Sequence, residues 1–308
     1  MRERLRIGTR GSVLALRQAE LVAAELRRAW PGLGVDLVRI HTSGDRLASA
    51  ALAEVGGKGL FVKEIEEALR DRRVEVAVHS LKDLPGEAPK GLVLAAFAER
   101  DDPRDVLVGR EPGGLAGLPE GARVGTSSPR RRAQLLARRP DLVVEPIRGN
   151  VDTRLRKLAE NPYDAIVLAA AGLRRLGLAP AGAVVLSPEE MLPAVGQGIL
   201  AVQVREDDHA VLDRVAPVDH PETRTAALAE RAFLEAIGGS CTTPLAGYAL
   251  VDGDRLRLRG LLATLDGAWI LREDRTMSAG DPQALGRRVA GEMLARGASR
   301  VLGEGRGA

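Results

Sequence analysis

The sequence predicts an α/β fold in two similar units, followed by a small α+β domain. Three observations carry this reading. Residues 5–9 read as a strand, Ser12 caps a helix with Ala15, Ala19, Val22, Leu26 and Ala29 on one face, and residues 35–40 form the next strand. Such a βαβ unit implies a parallel sheet. A second strand–turn–helix series starts near Arg123, and the last part of the chain reads as helix, three strands and helix, with the strands forming a three-stranded antiparallel sheet.

The 308 residues suffice for two or three domains with their own cores. No apolar run approaches the ~20 residues needed to span a bilayer, and Met1-Arg2-Glu3-Arg4 leads into a strand rather than a signal-peptide core. A single cysteine forms no internal disulfide, and no Cys/His cluster suggests a metal. The expectation is a soluble, cytoplasmic protein. The net charge of +3 is too small to argue for nucleic acid. Its distribution says more, because residues 123–157 hold ten Arg/Lys against Asp141, Glu145 and Asp152. Asparagine is limited to Asn150 and Asn161 and lysine to five positions, which fits either heat tolerance or a GC-rich genome.

In chain order, Arg10 and Ser12 fall where the first strand enters a helix N-terminus, a natural anion site. Residues 42–59 lose all periodicity and read as a lid or binding loop. Within it, Gly56-Gly57-Lys58-Gly59 lacks the spacing and the Ser/Thr of a phosphate-binding P-loop, which argues against a kinase or ATPase. A helix over 61–69 and a strand over 74–78 lead into His79-Ser80-Leu81-Lys82-Asp83. Ligands meet parallel sheets just beyond strand C-termini, so Asp83 is either an acid/base candidate or an ordinary turn aspartate. After a strand over 92–97, residues 99–105 form a polar crossing that marks a domain boundary.

Thr126-Ser127-Ser128-Pro129-Arg130-Arg131 is a hydroxyl-rich turn into a helix opened by proline. Arg148-Gly149-Asn150, with Arg154 one turn further on, repeats that chemistry at the next strand-to-helix junction. Two such junctions make an anion cradle a better account of the arginines than solvated surface charge. Further on come a strand over 165–169, a short helix over 171–176 and a strand over 184–186. A second crossing over 192–198 then precedes a strand over 200–204. A helix over 222–236 runs into Gly238-Gly239-Ser240-Cys241, strands follow over 245–251, 255–264 and 270–276, and a helix over 282–296 ends the pattern. Cys241 is either a small buried hydrophobe or an exposed, special thiol. None of His41, His79, His209 and His220 lies in a thiol-protease signature, so a protease nucleophile is not indicated.

Arg10, Val55 to Phe61, His79 to Asp83, Val124 to Ser128, Leu142 to Asn150, Leu192 to Gly198 and Gly239-Ser240-Cys241, in this order, give the chain a close resemblance to the porphobilinogen deaminase (hydroxymethylbilane synthase) family, nearly end to end. The resemblance implies two α/β domains like periplasmic binding proteins, facing across a cleft with two hinge crossings, and a third that carries the cofactor. The expected bounds are 1–98 with 199–217, then 99–198, then 218–308. It implies a dipyrromethane held by a thioether to Cys241, onto which four porphobilinogens condense head-to-tail with loss of ammonia before water releases hydroxymethylbilane. Cys241 is then an anchor, which explains a special thiol with no partner base.

By the same resemblance Asp83 is the catalytic residue. It would act as an acid on the leaving ammonia, or as a carboxylate that stabilises the azafulvene cation and binds pyrrole N–H groups. Cofactor contacts fall to Ser80, Lys82, Asp83, Thr126, Ser127, Ser128, Arg130, Arg131, Gly149 and Arg154, and substrate contacts to Arg10, Ser12, Lys58, Phe61, Arg148 and Gln197. The arginines suit a ligand with two carboxylates per pyrrole ring. A monomer without a metal, membrane or nucleic-acid partner is expected. Glu54 stands where some relatives have lysine, and Ser240, Thr242, Thr243 and Pro129 also depart from common residues. The rival reading is a two-lobed, non-catalytic binder of an anion. It fits the arginine cradles equally well and leaves Asp83 and Cys241 unexplained. A nucleic-acid binder is weaker still, because aromatic residues are too scarce for base stacking.

Overall fold

A computed structural model describes residues 4–42, 62–87, 89–160, 162–240 and 242–304. Glu54, Lys58, Phe61 and Cys241 therefore lie outside the described residues. The chain divides into two compact units, Met1–Asp101 with Ile199–Arg224, and Asp102–Gly198 with Thr225–Ala308.

Unit 1 opens with β1 (Arg4–Thr9), α1 (Val13–Ala29), β2 (Gly34–Arg39), α2 (Lys63–Arg70), β3 (Val76–Ser80), a 3-10 turn (Leu81–Asp83) and β4 (Leu92–Phe97). Unit 2 follows with β5 (Asp105–Gly109), β6 (Arg123–Gly125), α3 (Pro129–Arg138), β7 (Val143–Glu145), α4 (Val151–Glu160), β8 (Ala165–Ala169), α5 (Ala170–Arg175) and β9 (Ala183–Val185). β10 (Leu200–Arg205) and α6 (His209–Val215) return to unit 1. After α7 (Pro221–Ile237), unit 2 is completed by β11 (Leu245–Asp252), β12 (Arg255–Ala263), β13 (Ile270–Ser278), α8 (Pro282–Ala295) and α9 (Ser299–Glu304).

The two five-stranded sheets share one plan. Their orders are β2-β1-β3-β10-β4 and β7-β6-β8-β5-β9. In each, three parallel strands are followed by one antiparallel strand and then by the fifth. The antiparallel strand is in both cases the first one formed after the chain changes unit. The βαβ strands pair in parallel as expected, and one antiparallel strand makes each sheet mixed. A strand that enters from outside the local βαβ series is not bound to the parallel direction which a crossover helix imposes.

Strand alternation sorts the unit 1 side chains. Val76 and Val78 join Leu5, Ile7, Ala19, Val22 and Leu26 on the α1 side, whereas Ala77 packs with Ile65, Ala68 and Leu69 of α2 on the other. The same period sends His79 toward α2 and Ser80 toward α1. In unit 2, Val124, Val144 and Val167 pack with Leu135 of α3, and Ile166 and Leu168 pack with Leu158 and Leu173 on the opposite face.

The third sheet, β11-β12-β13, is antiparallel throughout, as expected. Gly247 and Gly260 face each other in its register, and a Cβ on either would come within 3.0 Å of the Phe233 ring. The paired glycines therefore open a hollow that takes the fully buried Phe233 of α7, a burial worth roughly 1.5–3 kcal/mol. The other face of this sheet packs Ala246, Tyr248, Leu261 and Ala263 against Ala133 of α3 and Leu192.

Candidate active site

In unit 1, β1 ends at Thr9, Arg10 follows half-buried, and Ser12 caps α1 by accepting the Ala15 N–H at 3.2 Å. Thr9 Oγ1 donates to the Ala15 carbonyl at 3.1 Å and ties the loop to the same turn. A serine that accepts from a cap keeps its own O–H to donate. Ser80, at the end of β3, accepts from Gln18 Nε2 at 2.9 Å. This buried glutamine of α1 leaves the Ser80 hydroxyl in the same donor-ready state.

Lys82 is half-buried and Asp83 exposed on the 3-10 turn. The turn is fixed on both sides, because Leu81 is 2 % exposed and its N–H donates to the Ile199 carbonyl. Behind it, the buried His79 and Gln203 lead to the half-buried Glu66. His79 Nε2 meets Gln203 Oε1 at 3.0 Å, and Gln203 Nε2 donates to Glu66 Oε1 at 3.1 Å. Burial pushes His79 down to about 4, against the opposing pull of its Gln203 hydrogen bond. It also holds Glu66 above the ordinary carboxylate range.

In unit 2, the β6–α3 junction is built from its own hydroxyls. Thr126 Oγ1 accepts the Ser128 N–H at 3.2 Å, Ser127 Oγ donates to the Ile147 carbonyl at 2.8 Å, and Ser128 caps α3 through the Arg131 N–H at 3.4 Å. Pro129 occupies the first helical position, where its missing N–H costs nothing. Arg130 and Arg131 point inward, at 4 % and 6 % exposure, and both pair with the fully buried Asp105 at 2.8 Å. Arg130 also donates to the Leu192 carbonyl at 2.7 Å and Arg131 to that of Val167 at 2.8 Å. Burial lowers the Arg130 guanidinium from its usual range; Asp105 opposes the shift and the neighbouring Arg131 adds to it. Gln197, 1 % exposed, donates to Asp105 Oδ1 at 3.0 Å and to the Pro103 carbonyl at 2.6 Å.

The β7–α4 junction repeats the theme. Asn150 Oδ1 accepts the Thr153 N–H at 2.9 Å and starts α4, while Arg154 Nε donates to the Gly149 carbonyl at 2.8 Å. Lys157 Nζ donates to the Arg148 carbonyl at 3.2 Å. Gly149 has φ +113°, and a Cβ there would stand 2.5 Å from Thr153 Cγ2. Only glycine fits this turn.

The structure brings Thr126, Ser127, Ser128, Arg130, Arg131 and Gln197 into one hydrogen-bonded region of unit 2, with Arg148, Gly149 and Arg154 at its next junction. In unit 1, Ser80 ends β3, Lys82 and Asp83 lie on the 3-10 turn just after it, and Arg10 and Ser12 lie between β1 and α1. Cys241 itself lies outside the described residues; beside it the Ser240 N–H donates to Thr243 Oγ1 at 3.0 Å. Reading the sequence missed Asp105, Gln18 and Gln203. Asp105 was absorbed into a polar crossing, and the two glutamines carry no motif. Much of the positive charge of residues 123–157 proves structural: Arg132 donates to the Val144 carbonyl, and Arg139 pairs with Asp141 at 2.7 Å.

Strand ends that carry hydroxyls and arginines mark unit 2, and a lysine–aspartate turn marks unit 1. The family model described as "Porphobilinogen deaminase, dipyromethane cofactor binding domain" matches residues 5–213, and the "Porphobilinogen deaminase, C-terminal domain" model matches residues 224–295. The chain is 52% identical to a porphobilinogen deaminase of Roseiflexus castenholzii, over 98% of this chain and 99% of the relative. It is 51% identical to that of Syntrophotalea carbinolica, over 97% and 95%, and 50% identical to that of Acidithiobacillus ferrooxidans, over 99% of each. The chain belongs to the porphobilinogen deaminase family. It is an enzyme of tetrapyrrole biosynthesis with a deaminase role and a dipyrromethane cofactor.

Proposed function

We propose that the protein condenses four porphobilinogen molecules head-to-tail onto a dipyrromethane anchored at Cys241, loses one ammonia per addition, and releases hydroxymethylbilane with water. The observation that carries this reading is the exposed carboxylate of Asp83 on a turn held by its backbone, beside Lys82 and in the same unit as Arg10, Ser12 and Ser80, in a chain of this family. The residues fit the cofactor: guanidinium, hydroxyl and amide donors outnumber the acid present, as a ligand rich in carboxylates requires. When bound, the dipyrromethane would supply the free pyrrole α-carbon to which the first ring is joined, each added ring then offering the carbon for the next.

The chain's own residues bind and orient. Arg10, Ser12, Arg148 and Gln197, with Lys58 and Phe61, serve the incoming substrate. Ser80, Lys82, Thr126, Ser127, Ser128, Arg130, Arg131, Gly149 and Arg154 serve the cofactor side chains. Asp83 gives a proton to the leaving amine, and as a carboxylate it offsets the positive charge left on the substrate and accepts pyrrole N–H groups. Its exposure lets it reach a ligand, and the fixed Leu81 backbone under it limits the positions it samples. A cytoplasmic monomer belongs to this reading on the strength of the resemblance.

Intact mass of the purified protein tests it. We expect an excess equal to a covalent dipyrromethane, absent from Cys241→Ser, or gained by apo protein on incubation with porphobilinogen. A chain that neither carries nor gains the mass is a binding protein, and the proposal is then wrong.

A further inference from the structure

A second pair of arginines in unit 2 lies outside the residues assigned to cofactor and substrate. Arg138 ends α3 and Arg272 stands on β13, and both line an open pocket of about 460 Å³ with Ile270, Gly267 and Ala137 in its walls. The β12–β13 hairpin is pressed onto α3 there, because a Cβ on Gly267 would stand 2.5 Å from the Ala133 carbonyl oxygen. Arg138 is fixed in place: its Nε donates to the Glu190 carbonyl at 2.8 Å and its Nη2 to that of Glu189. Both acceptors are neutral, and neither arginine is ion-paired among the described residues. The Arg272 side chain makes no hydrogen bond there either. Partial burial lowers the Arg272 guanidinium from its usual range, and the Arg138 charge lowers it further. The acids of the neighbourhood are already engaged. Glu189 pairs with Arg259 at 2.7 Å, Asp274 accepts from Arg257 Nε at 2.9 Å, and Asp266 accepts from Thr264 Oγ1 and the Ala268 N–H within its own hairpin.

Two guanidinium charges therefore face one space without a matching acid. The C-terminal end of α3 offsets them by only about half a charge. Most of their N–H donors are still unused, since a guanidinium has five and Arg138 spends two on carbonyls. Donors that arrive from two different elements suit a tetrahedral dianion, whose oxygens accept from both; a carboxylate is planar and carries one charge. The pocket is also large enough for a small molecule. We propose that the space between the end of α3 and the β12–β13 hairpin binds a phosphate group, free or on a small organic ester, through Arg138 and Arg272. α3 is ten residues long, so this site lies about 15 Å along the helix from the Ser128 cap and the proposed cofactor residues. Phosphate bound there cancels the repulsion between the two arginines and ties the far end of α3 to the third sheet.

The test titrates the holoenzyme with inorganic phosphate, phenyl phosphate and benzoate at constant ionic strength, following the unfolding midpoint and the backbone amide NMR shifts. In wild type, phosphate should move the Gly267 and Ala268 amides and raise the midpoint by about 2 °C or more at ten times its dissociation constant. Arg272→Gln removes a repelled charge. Without phosphate its midpoint should match or exceed that of wild type, and its affinity for phosphate should fall by about tenfold or more. Arg148→Ala, in the proposed substrate site, should leave the affinity read at Gly267 and Ala268 unchanged, which separates this pocket from phosphate bound among the active-site arginines. Benzoate should bind at least about tenfold more weakly than phenyl phosphate. Phenyl phosphate binding more tightly than inorganic phosphate assigns an organic ester, and equal affinity assigns the free ion. Unmoved Gly267 and Ala268 amides, an equal phosphate response in wild type and Arg272→Gln, or benzoate as tight as phenyl phosphate would each overturn the proposal. If Arg272→Gln does not fold, the wild-type shifts at Gly267 and Ala268 decide.

Discussion

His79 and Gln203 meet across the β3–β10 ladder at 3.0 Å, and the contact fixes the state of the histidine. The glutamine amide nitrogen is turned toward Glu66, so its oxygen faces the imidazole and Nε2 must carry the proton. His79 is neutral, held down to about 4 by burial from an ordinary 6.5. As pH falls through about 6.5 the unfolded chain takes up a proton which the folded one refuses until about 4. Stability from this group is therefore complete above the higher value, declines between the two, and is fully lost below the lower. The difference amounts to roughly 3 kcal/mol. His79→Gln keeps an N–H donor without the titration. Urea unfolding between these pH values should fall less steeply for the variant than for wild type. Glu66, raised by burial, acts in the opposite direction in both proteins. Parallel slopes would show that His79 is not buried neutral.

Asp83 separates chemistry from stability. It is exposed, and its turn is held by the Leu81 and Leu84 backbone bonds rather than by its carboxylate. Asp83→Asn should change unfolding free energy by no more than about 0.5 kcal/mol and lower kcat by about 100-fold or more. Steady-state rates beside urea melts check both, and a rate within about threefold of wild type would remove Asp83 from the proton transfer.

Arg148 is set by backbone, between the buried Ile147 and the left-handed Gly149. Arg148→Ala should fold and bind porphobilinogen more weakly, with kcat/KM down by about 10- to 100-fold if one charge-assisted carboxylate contact is lost. An unchanged kcat/KM would take Arg148 out of the substrate site.

Gly149→Ala tests the turn itself. The substitution forces an L-residue to φ +113° and drives its Cβ into Thr153. We expect a loss of about 1–3 kcal/mol, with Gly149→Ala/Thr153→Ser recovering part of it by removing the methyl that is struck. A double variant no more stable than the single one would place the strain elsewhere.

The parts legible in the sequence were those with a local signal. Ser12 and Ser128 cap helices as expected because a cap is a relation between residues three apart. The three C-terminal strands lie within two residues of their expected ends, since period-two alternation is local too. β5 escaped notice because Val106-Leu107-Val108 is a short apolar run with no period, attached to a polar crossing. α6 puts Val211 and Val215 into the unit 1 core, but at seven residues it is too short for a helical period to be read from the sequence. In the site, Arg130 and Arg131 were legible as arginines at a helix start, but not as buried ones. That depends on Asp105, distant in sequence and delivered by the antiparallel strand that the βαβ pattern does not foretell.

Glu230 provides the sharpest test of how the loop over 192–198 is held. The residue is 0 % exposed on α7, and its two oxygens accept different backbone donors: Gly196 N–H at 2.6 Å and Ala249 N–H at 2.7 Å. One carboxylate thus joins the helix, the first strand of the antiparallel sheet and the loop whose next residue, Gln197, reaches Asp105. Glutamine has the same shape but only one acceptor, so Glu230→Gln must turn an NH2 group toward one of the two N–H donors. One buried backbone donor is then left unsatisfied, at a cost of about 1–3 kcal/mol. The loss should appear as a lower urea midpoint at unchanged m-value. It should also appear as faster hydrogen exchange at Gly196 or Ala249, whichever donor the amide abandons. Glu230→Ala, which strands both, should cost more than Glu230→Gln. Equal costs, or unaltered protection at both amides, would mean that the loop is held by the Gly247–Pro193 backbone bond and its apolar neighbours instead.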